Sequence, residues 1–102
     1  MDGELKILFT GGDDPRNTSE ALLREFRGDI LVELADGRRF DVVVFTPRRI
    51  AQELETKSEY NQPYFAEAAM IVLPEITTEN ITRAVRALAD EGFFDQFIPR
   101  QD

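Results

Sequence analysis

The sequence predicts an α+β domain in which helices pack mainly against one face of a four-stranded sheet. Apolar residues recur at every second position in some stretches, as in half-buried strands, and at every third or fourth position in others, as in amphipathic helices. These stretches follow one another in the order β-α-β-β-α-β-α. A chain of 102 residues fits one core and is too short for two. We therefore expect residues 1–102 to form a single domain, with loose residues after Pro99.

The first strand and the first helix are separated by a glycine pair. The stretch "ELKILF" alternates and predicts a strand that ends before "GG". The helix is predicted to begin at a Thr18 or Ser19 cap and to stop at Gly28. Leu22 and Phe26, four residues apart, would form its core face.

The stretch "DILVELADGRRFDVVVF" predicts a β-hairpin with two possible registers. A two-residue loop at Asp36 and Gly37 would place Val32 opposite Asp41. A three-residue loop from residue 35 to a left-handed Gly37 would place Val32 opposite Phe40. We favour the second register because facing residues share a side of the sheet, and it gathers the apolar ones. Its apolar face consists of Ile30, Val32, Leu34, Phe40, Val42 and Val44, and it also sets Glu33 opposite Arg39.

Two further helices and one strand complete the expected order. Thr46 should cap a helix with Pro47 in its first position, and its buried stripe would be Ile50, Ala51 and Leu54. The run "AAMIVL" is apolar on both faces and predicts an interior strand. The last helix should follow Thr77 and stop at Gly92, with a stripe of Ile81, Ala84, Val85 and Leu88. The first six elements match the ferredoxin-like split β-α-β arrangement, with one helix added.

Composition excludes several classes of function. The chain has no cysteine and no histidine, so disulfides, thiolate chemistry, imidazole catalysis and the usual zinc sites are absent. We therefore expect a non-enzymatic protein with no cofactor and no metal. A net charge of −8 repels nucleic acid and favours a basic protein partner.

The chain shows no signal for a membrane or for export. No apolar run approaches the ~20 residues of a membrane span. The opening "MDGELKIL" lacks the basic start and the long apolar stretch of a secretory signal. We therefore expect no membrane partner and a cytoplasmic location.

Arg48 and Arg49 stand at a helix N-terminus, where the helix dipole disfavours cations by roughly 0.3–1 kcal/mol. One explanation is that they bind an anion together with the free N–H groups of the first turn. The other is that nearby acids offset the misfit, for example Glu53, four residues after Arg49. We favour the acids, because an exposed ion pair contributes about as much as the dipole penalty removes.

The loop "KSEYNQPYFAE" is the best candidate for a protein-binding site. Tyr60 and Tyr64 offer large contact areas at little entropic cost, which is typical of binding anchors. Phe65 and one of the two tyrosines could instead fold over the open edge of the core as a lid, which we favour for Phe65 and leave open for the tyrosines. The acids Glu53, Glu55 and Glu59 precede the tyrosines and would attract a basic partner.

The C-terminal stretch "GFFDQFIP" is rich in aromatic residues, which rarely stay in water on a stable monomer. These residues could pack back against the second face of the sheet, on Leu31, Val43 and Phe45. Alternatively, Phe94 and Phe97 could form a homodimer interface. We favour packing back, because apolar residues just past a helix stop commonly contact its last turn.

The acidic residues carry no recognisable catalytic pattern. The segment "TGGDDP" lacks the lysine of a phosphate-binding loop, and two adjacent acids supply only part of a cation shell. We interpret it as a solvated turn. Twenty acids guarantee some close pairs in any fold, so a close pair would not by itself indicate a hydrolase.

Residues 40–47, "FDVVVFTP", running into Ile50, resemble the "FDV-V-TP" core of the bacterial immunity protein 8 family. Residues 70–73, "MIVL", and the helix after Thr77 are similar to that family's "LIV" strand and closing helix. The sequence differs from the family at Phe45, where cysteine is usual, and near Arg49, where an aromatic is usual. The resemblance implies a small intracellular protein that protects against a polymorphic toxin by binding, with no catalytic residue.

Three functions follow from these observations. The first is a protein-binding domain, an immunity-like inhibitor whose acidic surface meets a basic toxin domain. The second is a structural or regulatory domain that works as a homodimer. The third is an acid-dependent hydrolase.

Overall fold

The computed structural model describes residues 4–101, which form a four-stranded mixed sheet with three α-helices and one short 3-10 helix. This arrangement confirms the α+β class. The elements are β1 (Lys6–Phe9), α1 (Pro15–Arg24), β2 (Phe26–Glu33), β3 (Arg39–Phe45), α2 (Pro47–Glu59), β4 (Met70–Val72), α3 (Thr78–Asp90) and the 3-10 helix (Phe93–Gln96).

The strand order is β1-β2-β3-β4, so each strand lies beside the next one in the chain. The first three strands are antiparallel, whereas β4 runs parallel to β3. A split β-α-β unit needs another strand between its two parallel strands. The ferredoxin-like arrangement is therefore wrong, because β3, α2 and β4 form an unsplit unit. β4 is an edge strand rather than an interior one, and Val72 is 48% exposed.

The hairpin register is confirmed. Val32 lies opposite Phe40 and Glu33 opposite Arg39, and Gly37 has a φ of 94°. This positive φ costs glycine little, because it has no Cβ to clash with the following carbonyl. The Gly37 N–H donates to the Leu34 carbonyl at 2.9 Å and closes the three-residue loop.

The first helix differs from the prediction at both ends. Asp14, rather than Thr18 or Ser19, caps α1, because its carboxylate accepts the N–H of the third helical residue. The helix ends at Glu25, which takes the left-handed conformation (φ 57°), and not at Gly28. Its buried residue is Ala21, whereas Leu22 is 46% exposed.

Strand β2 begins earlier than predicted and contains a bulge. Arg27 lies opposite Val44, but Ile30 lies opposite Val42, so β2 carries one extra residue between these pairs. Facing residues share a side of the sheet, which places the Arg27 side chain on the same face as Val44. Phe26, predicted on a helix, instead lies opposite Phe45 on the other face.

The core lies between the first face of the sheet and the elements α1, α3 and the 3-10 helix. The largest fully buried side chains are Phe94, Ile30, Ile81, Val32, Val42, Val44 and Val85. Thr77 caps α3 as predicted, and Ile81 and Val85 are its buried residues. Helices α1 and α3 lie on this face, whereas α2 lies on the other face over Phe26, so the helices cover both sides of the sheet rather than mainly one.

The C-terminal aromatics do pack back, but on the first face rather than the second. The Phe94 ring is 1% exposed and lies 5.2 Å from the Phe40 ring, centroid to centroid. Its burial leaves Phe94 unable to contact a second molecule. Beyond it, the Arg100 N–H donates to the Arg39 carbonyl at 2.8 Å, which joins the chain end to β3. Asp102, in the same predicted loose end, lies outside the described residues.

Candidate protein-binding surface

Helix α2 contacts the sheet through a mostly polar stripe, which retains only Ile50 of the predicted apolar one. Thr46 caps it and Pro47 takes its first position, as predicted. None of its residues is buried, however, and Ala51 and Leu54 are exposed. The half-buried residues of the helix are Arg49, Ile50, Glu53 and Lys57. The prediction failed because a helix at the edge of a domain can cover rings with charged side chains.

The rings below this stripe form a cluster on the second face of the sheet. The Phe45 ring lies 4.9 Å from the Phe26 ring and 5.0 Å from the Phe65 ring. The Arg49 guanidinium lies 5.4 Å from the Phe26 centroid, and the Lys57 ammonium lies 5.6 Å from the Phe65 centroid. Phe65 is thus a lid, as one of the two alternatives predicted, and it covers Phe45.

The opposite side of α2 and the loop after it carry exposed acids and tyrosines. Glu55 and Glu59 are one turn apart, and the helical rotation of 100° per residue places both away from the half-buried stripe. Tyr60 is 74% exposed and Tyr64 is 65% exposed. Glu67, which the sequence analysis did not single out, is exposed on the same loop. We call Glu55, Glu59, Tyr60, Tyr64 and Glu67 the acidic tyrosine surface.

The charges of this surface are not neutralised by neighbours. Within residues 4–101, Glu55, Glu59 and Glu67 form no ion pair. Glu53 differs, because its carboxylate lies 3.2 Å from the Arg49 Nε and faces the sheet side of the helix. The structure therefore groups Glu55 and Glu59 with the tyrosines and assigns Glu53 to an internal pair.

Both arginines at the start of α2 have protein partners. The Arg49 Nη1 donates to the Arg24 carbonyl at 3.0 Å, in addition to the contact with Glu53. The Arg48 Nε lies 3.6 Å from the Glu25 carboxylate. These contacts agree with the interpretation that nearby acids compensate for two cations at a helix N-terminus. No bound anion is needed to explain why the arginines are there.

A buried arginine that the sequence analysis missed lies next to Phe26, on the first face of the sheet, and organises the loop between β1 and α1. The Arg27 side chain is 4% exposed, and its guanidinium lies 4.1 Å from the Phe9 centroid. It donates to Asp29 at 2.8 Å, to the Gly12 carbonyl at 2.9 Å and to Asp13 at 3.4 Å. The "TGGDDP" segment is therefore anchored to β2 rather than simply solvated.

The same anchor also reaches helix α3 and holds a second glycine of the loop. The Thr78 hydroxyl donates to Asp13 at 2.9 Å, which ties the start of α3 to this loop. The Gly11 N–H donates to Asp29 at 3.0 Å, and a Cβ at Gly11 would lie 2.7 Å from the same carboxylate. A larger residue at position 11 would therefore have to displace the Asp29 carboxylate from its contact with Arg27. A cleft of about 550 Å³ between α1 and β2 borders the anchor.

The carboxylate of Asp29 should make stability depend on pH. Partial burial raises the pKa of Asp29, but the hydrogen bond and charge of Arg27 and the Gly11 N–H outweigh it, so the pKa lies below the ordinary 3.8. A carboxyl whose pKa is lower in the folded state stabilises the protein above the unfolded pKa. That contribution disappears as the pH falls through the folded value.

We therefore expect Asp29→Asn to be less stable than the parent at neutral pH, with the difference shrinking below about pH 4. Urea titrations of both proteins, from neutral pH down to roughly pH 3, measure this difference. A gap between the two proteins that is constant with pH would contradict the proposed role of the ionised carboxylate.

Few of the described residues have the shifted pKa that is typical of a catalytic group. Two carboxyl groups have a clearly shifted pKa, Asp29 and Asp36, and both shifts are downward, opposite to the shift that a general acid needs. For Asp36 the largest cause is the hydrogen bond from the Arg38 N–H.

No group of three potential metal ligands occurs within residues 4–101. Across that same range, no helix has the length and apolar character needed to cross a membrane.

Comparisons with known proteins give no relative. No family model, curated protein or solved structure matches this chain. The relation to the immunity protein 8 family therefore stays a prediction that is based on residues 40–50 and 70–77.

Proposed function

We propose that this chain is a non-enzymatic protein-binding domain whose acidic tyrosine surface binds a basic partner. The observation that carries the proposal is one continuous segment with two exposed tyrosines and three carboxylates that form no ion pair with any residue from 4 to 101. Tyrosine rings supply contact area, and the carboxylates supply charge complementarity. The net charge of −8 also attracts a basic partner over longer distances.

The resemblance to immunity proteins suggests which basic partner to test. A cytoplasmic inhibitor of a toxin binds the toxin domain without performing chemistry, which suits a chain without histidine or cysteine. The proposed partner is therefore a basic toxin domain encoded beside this gene. The alternative is a homodimer with Phe94 in its interface, and it is less well supported because Phe94 is buried in the core.

Binding kinetics distinguish the contribution of the tyrosines, which is expected in the dissociation rate, from that of the acids, which is expected in the association rate. Tyr60→Ala with Tyr64→Ala should raise the dissociation rate about 10–100-fold and change the association rate little. Glu55→Lys with Glu59→Lys should mainly lower the association rate and flatten its salt dependence. Surface-binding kinetics at two ionic strengths measure both effects.

A control matched in net charge is Glu79→Lys with Glu91→Lys, since both acids are exposed at the ends of α3 and lie outside the acidic tyrosine surface. It removes an ion pair with Arg83, which is exposed and contributes little stability. An association rate lowered equally by this control would mean that net charge, and not this surface, guides binding. If the neighbouring protein neither binds nor loses toxicity on co-expression, the immunity function is to be abandoned.

A further inference from the structure

Strand β4 forms an edge of the sheet, and the side that faces away from β3 has no strand beside it. The Leu73 N–H donates to the Phe45 carbonyl of β3 at 2.9 Å. Consecutive residues of a strand point their N–H and C=O groups to opposite sides, so those of Met70 and Val72 point away from β3. Within residues 4–101, these outward groups have no hydrogen-bond partner. The outer edge of β4 therefore presents backbone donors and acceptors to another strand.

The opposite edge strand, β1, is protected against such pairing. The Thr10 N–H donates to the Asp29 carbonyl at 2.8 Å, so the backbone groups of Phe9 point outward. The Phe9 carbonyl, however, already accepts the Gly12 N–H at 2.8 Å. Lys6 is exposed on β1, and a lysine on an edge strand discourages pairing with another chain. Strand β4 has neither protection, because none of its residues is charged and its outward carbonyls accept no bond from the described residues.

The side chains of β4 favour apolar residues in an added strand. Met70 and Val72 lie opposite Val43 and Phe45, on the second face of the sheet. Met70 is half-buried and Val72 is 48% exposed. An apolar side chain beside Val72 on a fifth strand would remove both side chains from water, which favours the pairing.

The charges at the two ends of β4 favour a basic strand. Glu67 lies three residues before the start of β4, and Glu75 lies three residues after its end. Both glutamates are exposed, and neither forms an ion pair within the described part of the chain. Arg48 lines the groove beside Glu75, but its Nε lies 3.6 Å from the Glu25 carboxylate. An extended segment along this edge therefore has an unpaired carboxylate near each end.

We propose that the outer edge of β4 binds an extended segment of a basic protein as a fifth strand. The segment has lysine or arginine at both ends and apolar residues at alternate positions between them. Hydrogen bonds to the backbone of Met70 and Val72 supply affinity, and Glu67 and Glu75 attract the basic ends. Glu67 also belongs to the acidic tyrosine surface, so one partner can contact both. The inference rests on the proposed function for the basic character of that partner and specifies how its backbone binds.

A synthetic peptide tests the proposal without the natural partner. The probe has about seven residues, with valine and threonine alternating between terminal lysines and with both ends blocked. Calorimetric titration at low salt should show binding, whereas the same peptide with terminal glutamates should bind about tenfold more weakly or worse. Saturation with the lysine peptide should slow amide hydrogen exchange of Met70 and Val72 by about tenfold or more. The Ile71 N–H, which points to β3, should change little.

Methylation of the peptide backbone distinguishes strand pairing from charge attraction. An added strand points alternate N–H groups toward β4, and N-methylation of those groups removes the donors and adds bulk at the contact. Two probes are compared, one methylated at its odd positions and the other at its even positions. One of them should lose affinity by about tenfold or more, and the other should retain it.

Variants of β4 and of the flanking acids test the same contact from the side of the protein. Val72→Pro removes one outward N–H and leaves the hydrogen bonds to β3 in place, so it should weaken binding by about tenfold or more. Val72→Thr is the matched control, because it keeps the N–H, and it should bind like the parent. Glu67→Gln with Glu75→Gln should weaken binding and flatten its salt dependence. The same change at Glu79 and Glu91 should have a smaller effect, and thermal melting checks that each variant is folded.

A lysine peptide that does not bind, equal effects of the two methylated probes, or unchanged binding by Val72→Pro would each overturn the proposal. The proposed function fails separately, if the neighbouring protein binds but is indifferent to the substitutions at Tyr60 and Tyr64. Conversely, a partner that is released by those substitutions and not by Val72→Pro keeps the proposed function and overturns strand addition.

Discussion

Replacing Phe94 with alanine is expected to lower the free energy of unfolding by about 3–5 kcal/mol, the range for phenylalanine deleted from a core. The side chain is 1% exposed and its ring contacts the rings of Phe40 and Phe93, both at 5.2 Å between centroids. The short 3-10 helix holds it against strand β3, so the site cannot collapse without moving the chain end. Urea denaturation monitored by circular dichroism measures the loss.

The control for Phe94 comes from the same chain end. Ile98→Ala removes a side chain that is 87% exposed and should change stability by less than about 0.5 kcal/mol. Removal of all residues after Gly92 should destabilise the protein at least as much as Phe94→Ala does. A folded, undiminished truncated protein would show that the C-terminal segment is not part of the core.

The second large effect is expected at Arg27. Alanine there removes the cation over the Phe9 ring and the hydrogen bonds to Asp29, Asp13 and the Gly12 carbonyl. It also leaves a cavity beneath the "TGGDDP" segment. Breaking a fully buried ion pair costs about 3–5 kcal/mol. Asp29 and Asp13 keep 28% and 40% of their side chains exposed, so water rehydrates them. We therefore expect a loss of about 2 kcal/mol.

The comparison variant is Arg16→Ala, because Arg16 is 87% exposed and makes an ion pair with Glu20 at 3.5 Å. Its loss should be under about 0.5 kcal/mol. Arg27→Met, which keeps much of the volume, should be less destabilising than Arg27→Ala if packing over Phe9 contributes. Equal stability of the alanine variants at positions 16 and 27 would contradict the role of the buried guanidinium.

Features that depend on neighbouring residues could be predicted from the sequence. Facing side chains share a side of the sheet. Only the three-residue loop places the apolar residues of both strands on one face, and this determines the hairpin register. Thr46 and Thr77 were predicted as caps because each precedes the first turn of a periodic stretch. The sequence left open whether Tyr60 and Tyr64 are exposed or cover the core, because a tyrosine ring suits either place; the structure has both exposed.

Features that depend on distant pairings could not be predicted. Whether β4 lies beside β1 or β3 is not encoded in its own apolar run, so the sheet order was wrong. Arg27 lies next to a glycine that resembles a helix stop, and the bulge that turns it inward needs β3 as a partner. The stripe of α2 was misjudged because Arg49 and Lys57 cover rings that come from three separate segments.

The attachment of α2 by cations over rings has a consequence for motion. Local opening requires less free energy where few apolar contacts are lost, and α2 has no buried residue to expose. We therefore expect α2 to open at a lower free energy than α3, whose Ile81 and Val85 are buried. Amide hydrogen exchange should then be faster in α2 than in α3, and a partner that binds the acidic tyrosine surface should slow it.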